Sequence, residues 1–141
     1  MPEDIHAAVE LYLGVFNEEP FCYDWLRPDN AARYFTDIEN TPGSYSFLYY
    51  DNKGLLAGLC LGIIQDYFQI VTYEIKEVAV RKDAQGRGRG TRMLSEVSKH
   101  LRTQGVQALT LMTQKNIPAF SFYKKNNFST LDSTIYMTKH I

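Results

Sequence analysis

The stretch Gln85-Gly86-Arg87-Gly88-Arg89-Gly90 decides the fold. Three glycines at alternate positions let the backbone turn tightly and come close to a ligand. A strand pattern ends at Val80 before the stretch, and an amphipathic helix pattern follows it, with Gly105 past its end as a C-cap. Because the loop opens a helix, unpaired N–H groups and the helix dipole predict an anion site suited to phosphate or pyrophosphate.

Known nucleotide-binding patterns do not fit this loop. A Walker A loop needs Lys-Ser or Lys-Thr after its last glycine, and Thr91-Arg92 follow Gly90 here. A G-x-G-x-x-G dinucleotide fingerprint fails in both frames, since its third glycine would fall on Thr91 or Met93. Two alternatives remain: an arginine-glycine RNA-binding element, and a turn that is rich in glycine only because it is tight.

The other elements follow from hydrophobic periodicity and from turn residues. In chain order they are helices over residues 3–17 and from a cap at Asp29 or Asn30 through Ile38, strands over 45–50, 55–65 and 71–80, the helix after the glycine loop, a strand over 108–113, a helix from Pro118 to about Asn126, and one or two strands within 128–138. The order ααβββαβαβ predicts a single α+β domain over residues 1–141, with a mixed, mostly antiparallel sheet flanked by helices.

Composition argues against several classes of function. The 141 residues carry a formal net charge of -1, so no strong basic field favours nucleic acid or an anionic membrane. The acidic start, with no apolar run behind it, does not resemble a secretory signal, and we expect a cytoplasmic protein without a metal. Cys22 and Cys60 do not have metal-ligand spacing; two free buried thiols are favoured over one disulfide.

Two motifs resemble the GCN5-related N-acetyltransferase family. Gln85, Gly88 and Gly90 match its pyrophosphate loop, Q/R-x-x-G-x-G/A, between the strand and helix that the family places there. The segment from Asn116 to Phe128 resembles N-x-x-A-x-x-x-Y-x-x-x-G-F, with Asn127 where glycine is usual. That glycine caps a helix in a left-handed conformation, and Asn is the next most tolerant residue there.

The resemblance implies a cosubstrate, acetyl-CoA, and the residues that contact it. Backbone groups of Val78 and Val80 would line the pantetheine arm, in a gap between two splayed strands. Asn116 would lie near the cofactor and Tyr123 near its sulfur. The pyrophosphate would be bound by the backbone N–H groups of the loop, which are those of Gln85, Gly86, Arg87, Gly88, Arg89, Gly90 and Thr91.

Acetyl transfer to an amine needs a base, an oxyanion donor and a proton for the leaving thiolate. Tyr123 is the candidate acid, and the N–H of Val78 is a candidate oxyanion donor. Glu77 is the preferred base and Glu74 the alternative. Because the two carboxylates are three residues apart, a regular strand would point them to opposite faces, unless a β-bulge intervenes.

The predicted function is an acetyl-CoA-dependent N-acetyltransferase acting by direct attack of a primary amine, on a small molecule or a peptide. The alternative is an acyl-CoA-binding module of the same fold without turnover. The acceptor stays open, as does a homodimer through the C-terminal strands. The acceptor pocket is predicted to include Phe21, Tyr23, Trp25 and Tyr67, aromatic residues that are also compatible with core packing.

Overall fold

The computed structural model describes residues 2–16 and 27–141. Eight of the nine predicted elements are present in the predicted order, with a 3₁₀ turn over Lys82–Ala84 before the glycine loop. Their bounds are α1 Pro2–Phe16, α2 Pro28–Glu39, β1 Ser44–Tyr50, β2 Leu56–Tyr67, β3 Ile70–Val80, α3 Arg89–Thr103, β4 Ala108–Thr110 and α4 Pro118–Lys125. The α+β fold is thereby confirmed.

The four strands form one mixed sheet in the order β1-β2-β3-β4. The pairs β1–β2 and β2–β3 are antiparallel, whereas β3 and β4 are parallel and joined through α3. Successive side chains of a strand point to opposite faces of a sheet. The strands can therefore supply two separate cores, one on each face.

Each face of the sheet is covered by its own helices. On one face, α1 and α2 pack against Leu59, Leu61 and Ala79. On the other face, α3 packs against Cys60, Tyr73 and Ile75 in a cluster that Tyr123 and Phe128 join. Cys60 is a buried free cysteine, as predicted, whereas Cys22 lies outside the described residues.

Tyr73 fixes the middle of the sheet. Its side chain is fully buried, and its hydroxyl donates to the carbonyl of Tyr45 at 2.6 Å, across the intervening strand β2. The ring lies over Gly62, where an added Cβ would come within 2.4 Å of Tyr73 Cζ. Glycine is therefore required at this position because the aromatic ring occupies the space of a side chain.

Helices α3 and α4 end in the same way. After α3, Gly105 N–H donates to Arg102 and Val106 N–H to Leu101. After α4, Asn127 N–H donates to Lys124 and Phe128 N–H to Tyr123. Both sets are Schellman motifs, and both turn residues are left-handed, with φ of 83° at Gly105 and 70° at Asn127. The prediction that Asn127 replaces a capping glycine is confirmed.

The sequence predictions were wrong at three places. Asp29 and Asn30 lie inside α2: its N-cap is Arg27, and Asn30 Oδ1 accepts the Arg27 N–H at 2.8 Å. The final strand predicted within 128–138 is not formed among the described residues, and β4 covers three residues rather than six. A strand needs a neighbour for its backbone groups, and periodicity alone supplied none.

Candidate active site

The glycine loop is shaped by two left-handed glycines. Gly86 has φ of 76° and Gly88 has φ of 72°, and an added Cβ at either would meet no atom within 4 Å. Gly88 is the N-cap of α3, and the first helical bond runs from Arg92 N to Gly88 O at 3.0 Å. The N–H groups of the first helical turn therefore have no partner within the helix, and the space beside them is open.

Gly90 has a different role, because it is a packing residue. A Cβ there would lie 3.1 Å from the ring of Phe122 on α4 and 3.5 Å from Val80 on β3. Gln85 adds a second connection, since its Nε2 donates to the carbonyl of Val80 at 2.7 Å. The loop is thus held close to the end of β3 and to α4.

Strands β3 and β4 part soon after they pair. Their parallel ladder runs from Thr72 to Glu74 on β3, and β3 continues to Val80 without a described partner on that side. Arg81 N–H donates to Ala57 O at 2.7 Å, so it points toward β2. We call the gap between residues 75–80 of β3 and the chain that follows β4 the fork. Because antiparallel bonding alternates along a strand, the N–H and C=O of Val78 and Val80 point away from β2 and into the fork.

A β-bulge brings the two candidate carboxylates to one face. Glu77 pairs with Leu61 and Glu74 pairs with Ile63, two residues apart on β2, so Lys76 is the extra residue. The bulge thereby cancels the opposite orientation that a regular strand would impose. Lys76 Nζ lies 2.6 Å from Glu74 Oε1, so Glu74 is held in an ion pair.

Glu77 is the carboxylate that is hydrogen-bonded by side chains of α1 and α2. Tyr34 OH donates to its Oε1 at 3.0 Å, and Tyr12 also hydrogen-bonds it. Burial raises the pKa of Glu77, and the two tyrosine hydrogen bonds oppose that rise. A carboxylate with a raised pKa in a partly buried site is suited to accept a proton near neutral pH.

Tyr123 lies on α4, two residues before the helix ends at Lys125. Its ring packs edge-on against Phe122 and Phe128, at 5.4 Å between centroids in each case, so the Schellman motif helps to orient it. Burial raises the pKa of Tyr123 to about 12, and the charges of Cys60 and Glu77 add to the rise. Tyr123 is therefore neutral at physiological pH and lies within the electrostatic influence of Glu77.

The structure gathers most of the predicted site residues around the fork. Arg87 is exposed on the loop and Arg89 begins α3, while Asn116 is exposed before α4. Tyr67 does not lie near the candidate carboxylates. It is six residues further along β2 than Leu61, the residue that pairs with Glu77, and six strand residues span roughly 20 Å. The acceptor-pocket candidates Phe21, Tyr23 and Trp25 lie outside the described residues.

Sequence reasoning missed the tyrosines that contact Glu77. Helical periodicity places Tyr12 on the apolar face of the first helix, and no sequence pattern distinguishes Tyr34. No local motif marks such residues, because their common partner lies on a distant strand. The nearest signal is a tyrosine on the buried face of a helix. Because the hydroxyl of a buried tyrosine usually has a hydrogen-bond partner, such a residue indicates a polar contact within the fold.

The described parts of the chain contain neither a candidate metal site nor a candidate membrane span. Within residues 2–16 and 27–141, no group of three or more His, Cys, Asp or Glu side chains could hold a metal ion. None of the described helices combines the length and the apolar character needed to cross a membrane.

Comparison with known proteins defines the class of this fold and site. The model of the acetyltransferase (GNAT) family matches residues 11–128. The chain therefore belongs to the acetyltransferase (GNAT) family, and it is an acyltransferase. A sequence comparison with curated proteins gives no match.

Solved structures of low sequence identity share the fold. A possible acetyltransferase from Clostridium difficile 630 superposes with a TM-score of 0.81 at 14% identity, over 100% of this chain and 94% of that one. An aminoglycoside 6'-N-acetyltransferase from Acinetobacter haemolyticus gives 0.75 at 10% identity, over 100% and 95%. A ribosomal-protein-alanine N-acetyltransferase from Brucella melitensis biovar Abortus 2308 gives 0.74 at 12%, over 98% and 94%.

Proposed function

We propose that the protein transfers an acetyl group from acetyl-CoA to a primary amine by direct attack on the thioester. The observation that carries the proposal is the fork between β3 and β4, with the open glycine loop at the start of α3 at one end and Glu77 and Tyr123 beside it. A phosphate-bearing thioester with a long, narrow arm matches this arrangement.

The residues present fit acetyl-CoA. The open space at Gly86 and Gly88 leaves room for a pyrophosphate against the free N–H groups of α3, and Arg87 and Arg89 add positive charge. The outward N–H and C=O of Val78 and the outward N–H of Val80 offer the amide groups of a pantetheine arm the bonds that a neighbouring strand would otherwise make, while the C=O of Val80 already accepts from Gln85 Nε2. When bound, acetyl-CoA supplies the activated acyl group.

Glu77 is the proposed proton acceptor for the amine. An alkylammonium has a pKa of about 10.4, so very little of the reactive neutral amine exists at pH 7 without a base. Burial of Glu77 raises its pKa and so raises its basicity, while the bond from Tyr34 keeps the carboxylate ionised and oriented. Glu74 is the weaker candidate because Lys76 already neutralises it.

Tyr123 is the proposed donor to the departing thiolate. A pKa of about 12 makes Tyr123 a weak acid, and the proton would move poorly to a thiolate with an ordinary pKa of about 8.5. Burial in the same cluster raises the pKa of the Cys60 thiol to about 12 as well. Apolar surroundings would likewise raise the basicity of a thiolate released beside Tyr123, which would reduce the difference between the two pKa values.

The experiment is a coupled assay of CoA release and amine acetylation, with acetyl-CoA and a panel of amines that includes peptide N-termini, lysine, polyamines and aminoglycosides. For an active amine, Tyr123→Phe and Glu77→Gln should each lower kcat by about a hundredfold. Tyr50→Phe is the matched control, because its hydroxyl bonds Asp4 at 3.1 Å, away from the fork.

The outcomes of this assay distinguish an enzyme from a binding module without turnover. Acetylated amine whose formation depends on Tyr123 and Glu77 supports the proposal. Tight acetyl-CoA binding with no acetylation of any amine would favour the acyl-CoA-binding alternative.

A further inference from the structure

The side chain of Arg81 connects three segments of the chain next to the glycine loop. Its guanidinium donates from each of its three nitrogens: Nε to Asp83 Oδ1 at 2.6 Å, Nη1 to the carbonyl of Leu56 at 3.0 Å, and Nη2 to Asp51 Oδ2 at 2.8 Å. Asp51 lies in the β1–β2 hairpin turn, Leu56 begins β2, and Asp83 lies in the 3₁₀ turn that leads into the glycine loop. Because a guanidinium is planar and rigid, these bonds fix the 3₁₀ turn relative to the hairpin. We call this set of contacts the Arg81 clamp.

The clamp is held by charge as well as by geometry. The hydrogen bond from Arg81 is the largest cause that lowers the pKa of Asp51, to about 2, and it also lowers the pKa of Asp83. Both carboxylates are therefore ionised at neutral pH, and their bonds to the guanidinium are of the stronger, charge-assisted kind.

The 3₁₀ turn passes this constraint on to the glycine loop. Ala84 N–H donates to the carbonyl of Arg81 at 2.8 Å, and the side chain of Ala84 is fully buried. The next residue, Gln85, donates from Nε2 to the carbonyl of Val80 at 2.7 Å. The two left-handed glycines that follow have open space around them and could adopt many conformations. The loop therefore depends on the turn before it for a fixed starting point.

We propose that Arg81 is a positioning residue: together with Asp51 and Asp83, it holds the ligand-free glycine loop in the conformation that binds the pyrophosphate of acetyl-CoA. The proposal rests on the proposed function, which assigns this loop to acetyl-CoA. A loop that must become ordered during binding lowers the affinity, because the cost of ordering is subtracted from the binding free energy. Arg81 thus acts through the 3₁₀ turn, and its effect does not depend on its own charge.

Calorimetric titration of acetyl-CoA into two variants separates positioning from charge. Arg81→Lys keeps the positive charge but replaces the planar fork by a single nitrogen, and Asp83→Ala removes a negative charge beside the loop. By charge alone, Arg81→Lys should leave binding unchanged and Asp83→Ala should strengthen it. Loss of positioning should instead weaken binding by about tenfold in both variants.

Glu96→Ala is the matched control for this titration. It breaks another exposed arginine–carboxylate pair, with Arg92 at 3.4 Å, but that pair lies within α3 and connects no other segment. The affinity for acetyl-CoA should therefore stay within about twofold of the wild type. Binding that is unchanged or stronger in Arg81→Lys or in Asp83→Ala would overturn the proposal.

Hydrogen exchange of the ligand-free protein tests the positioning without acetyl-CoA. In Arg81→Lys and Asp83→Ala, the Ala84 N–H should exchange about tenfold faster than in the wild type. The Ile64 N–H, which donates to Gly43 O at 2.7 Å toward the far end of β2, should not change. Unchanged exchange at Ala84, or an equal increase at both positions, would overturn the proposal. A response at Ala84 alone, in a protein that does not bind acetyl-CoA, would support the clamp and contradict the proposed function.

Discussion

At the scale of single residues, the hydrogen bond from the hydroxyl of Tyr34 favours the ionised form of Glu77 against the effect of burial. Tyr34→Phe removes a bond that lowers the pKa of Glu77, so the pKa of Glu77 should rise further. Since a base works only when deprotonated, the acid limb of the kcat/KM profile should move to higher pH. On that limb kcat/KM should fall by about three- to tenfold, with little change on the alkaline plateau.

The pH–rate profile of Tyr50→Phe is the control, because it loses a tyrosine hydroxyl outside the site. An unshifted acid limb in Tyr34→Phe would show that Glu77 is not the group whose ionisation limits the rate.

Gly62 illustrates a second effect at the residue scale, because its space is taken by Tyr73. Gly62→Ala should lower the free energy of unfolding by about 2–3 kcal/mol, since a Cβ would lie 2.4 Å from a ring buried in the sheet. Gly14→Ala is the control: its Cβ meets nothing within 4 Å inside helix α1, so the substitution should stabilise by about 0.5–1 kcal/mol. Urea unfolding measures the free energy of unfolding of both variants. An equal change in the two variants would contradict the packing of Tyr73 over Gly62.

At the scale of elements, the end of α4 depends on the left-handed residue Asn127. Asn127→Ala should lower the free energy of unfolding by about 1 kcal/mol, because alanine tolerates positive φ less well than asparagine. Asn127→Gly should be at least as stable as the wild type. Asn52→Ala, in the β1–β2 turn and without positive φ, should have little effect. Thermal unfolding of the three variants provides the test, and a stable Asn127→Ala would contradict the assigned cap.

The β1–β2 hairpin turn depends on the ionised carboxylate of Asp51. Asp51 accepts a hydrogen bond from Arg81 at 2.8 Å and the N–H groups of Leu55 and Lys53, and these contacts, the one from Arg81 above all, lower its pKa to about 2. Because the folded pKa lies below the ordinary value of 3.8, the stabilisation is complete above pH 3.8 and is lost as the pH falls toward 2.

Asp51→Asn should therefore have a lower free energy of unfolding than the wild type at pH 6. The difference between the two free energies should decrease as the pH is lowered. Chemical unfolding at pH 6 and pH 3 measures this difference. A gap that stays constant with pH would show that the charge of Asp51 is not what stabilises the turn.

At the scale of the whole molecule, the sequence predicted the elements that local patterns specify. The glycine loop, the three strands before it and the cap at Asn127 depend on turn residues and periodicity within a few positions. The fork, the bulge at Lys76 and the bonds from Tyr12 and Tyr34 to Glu77 depend on strand register and on long-range packing. A single bulge decides which face a carboxylate occupies, and periodicity cannot reveal it.

The most direct test of the central claim is calorimetric titration of acetyl-CoA into the wild type, Gly88→Glu and Gly54→Glu. Gly88 has φ of 72° and Gly54 has φ of 79°, and a side chain at either position would enter open space. Gly88 lies at the start of α3, whereas Gly54 lies in the β1–β2 hairpin turn. Binding should weaken by at least about tenfold in Gly88→Glu, because a carboxylate faces the pyrophosphate, and should be retained in folded Gly54→Glu. No binding to the wild type, or equal binding by the two variants, would contradict an acetyl-CoA site at the glycine loop.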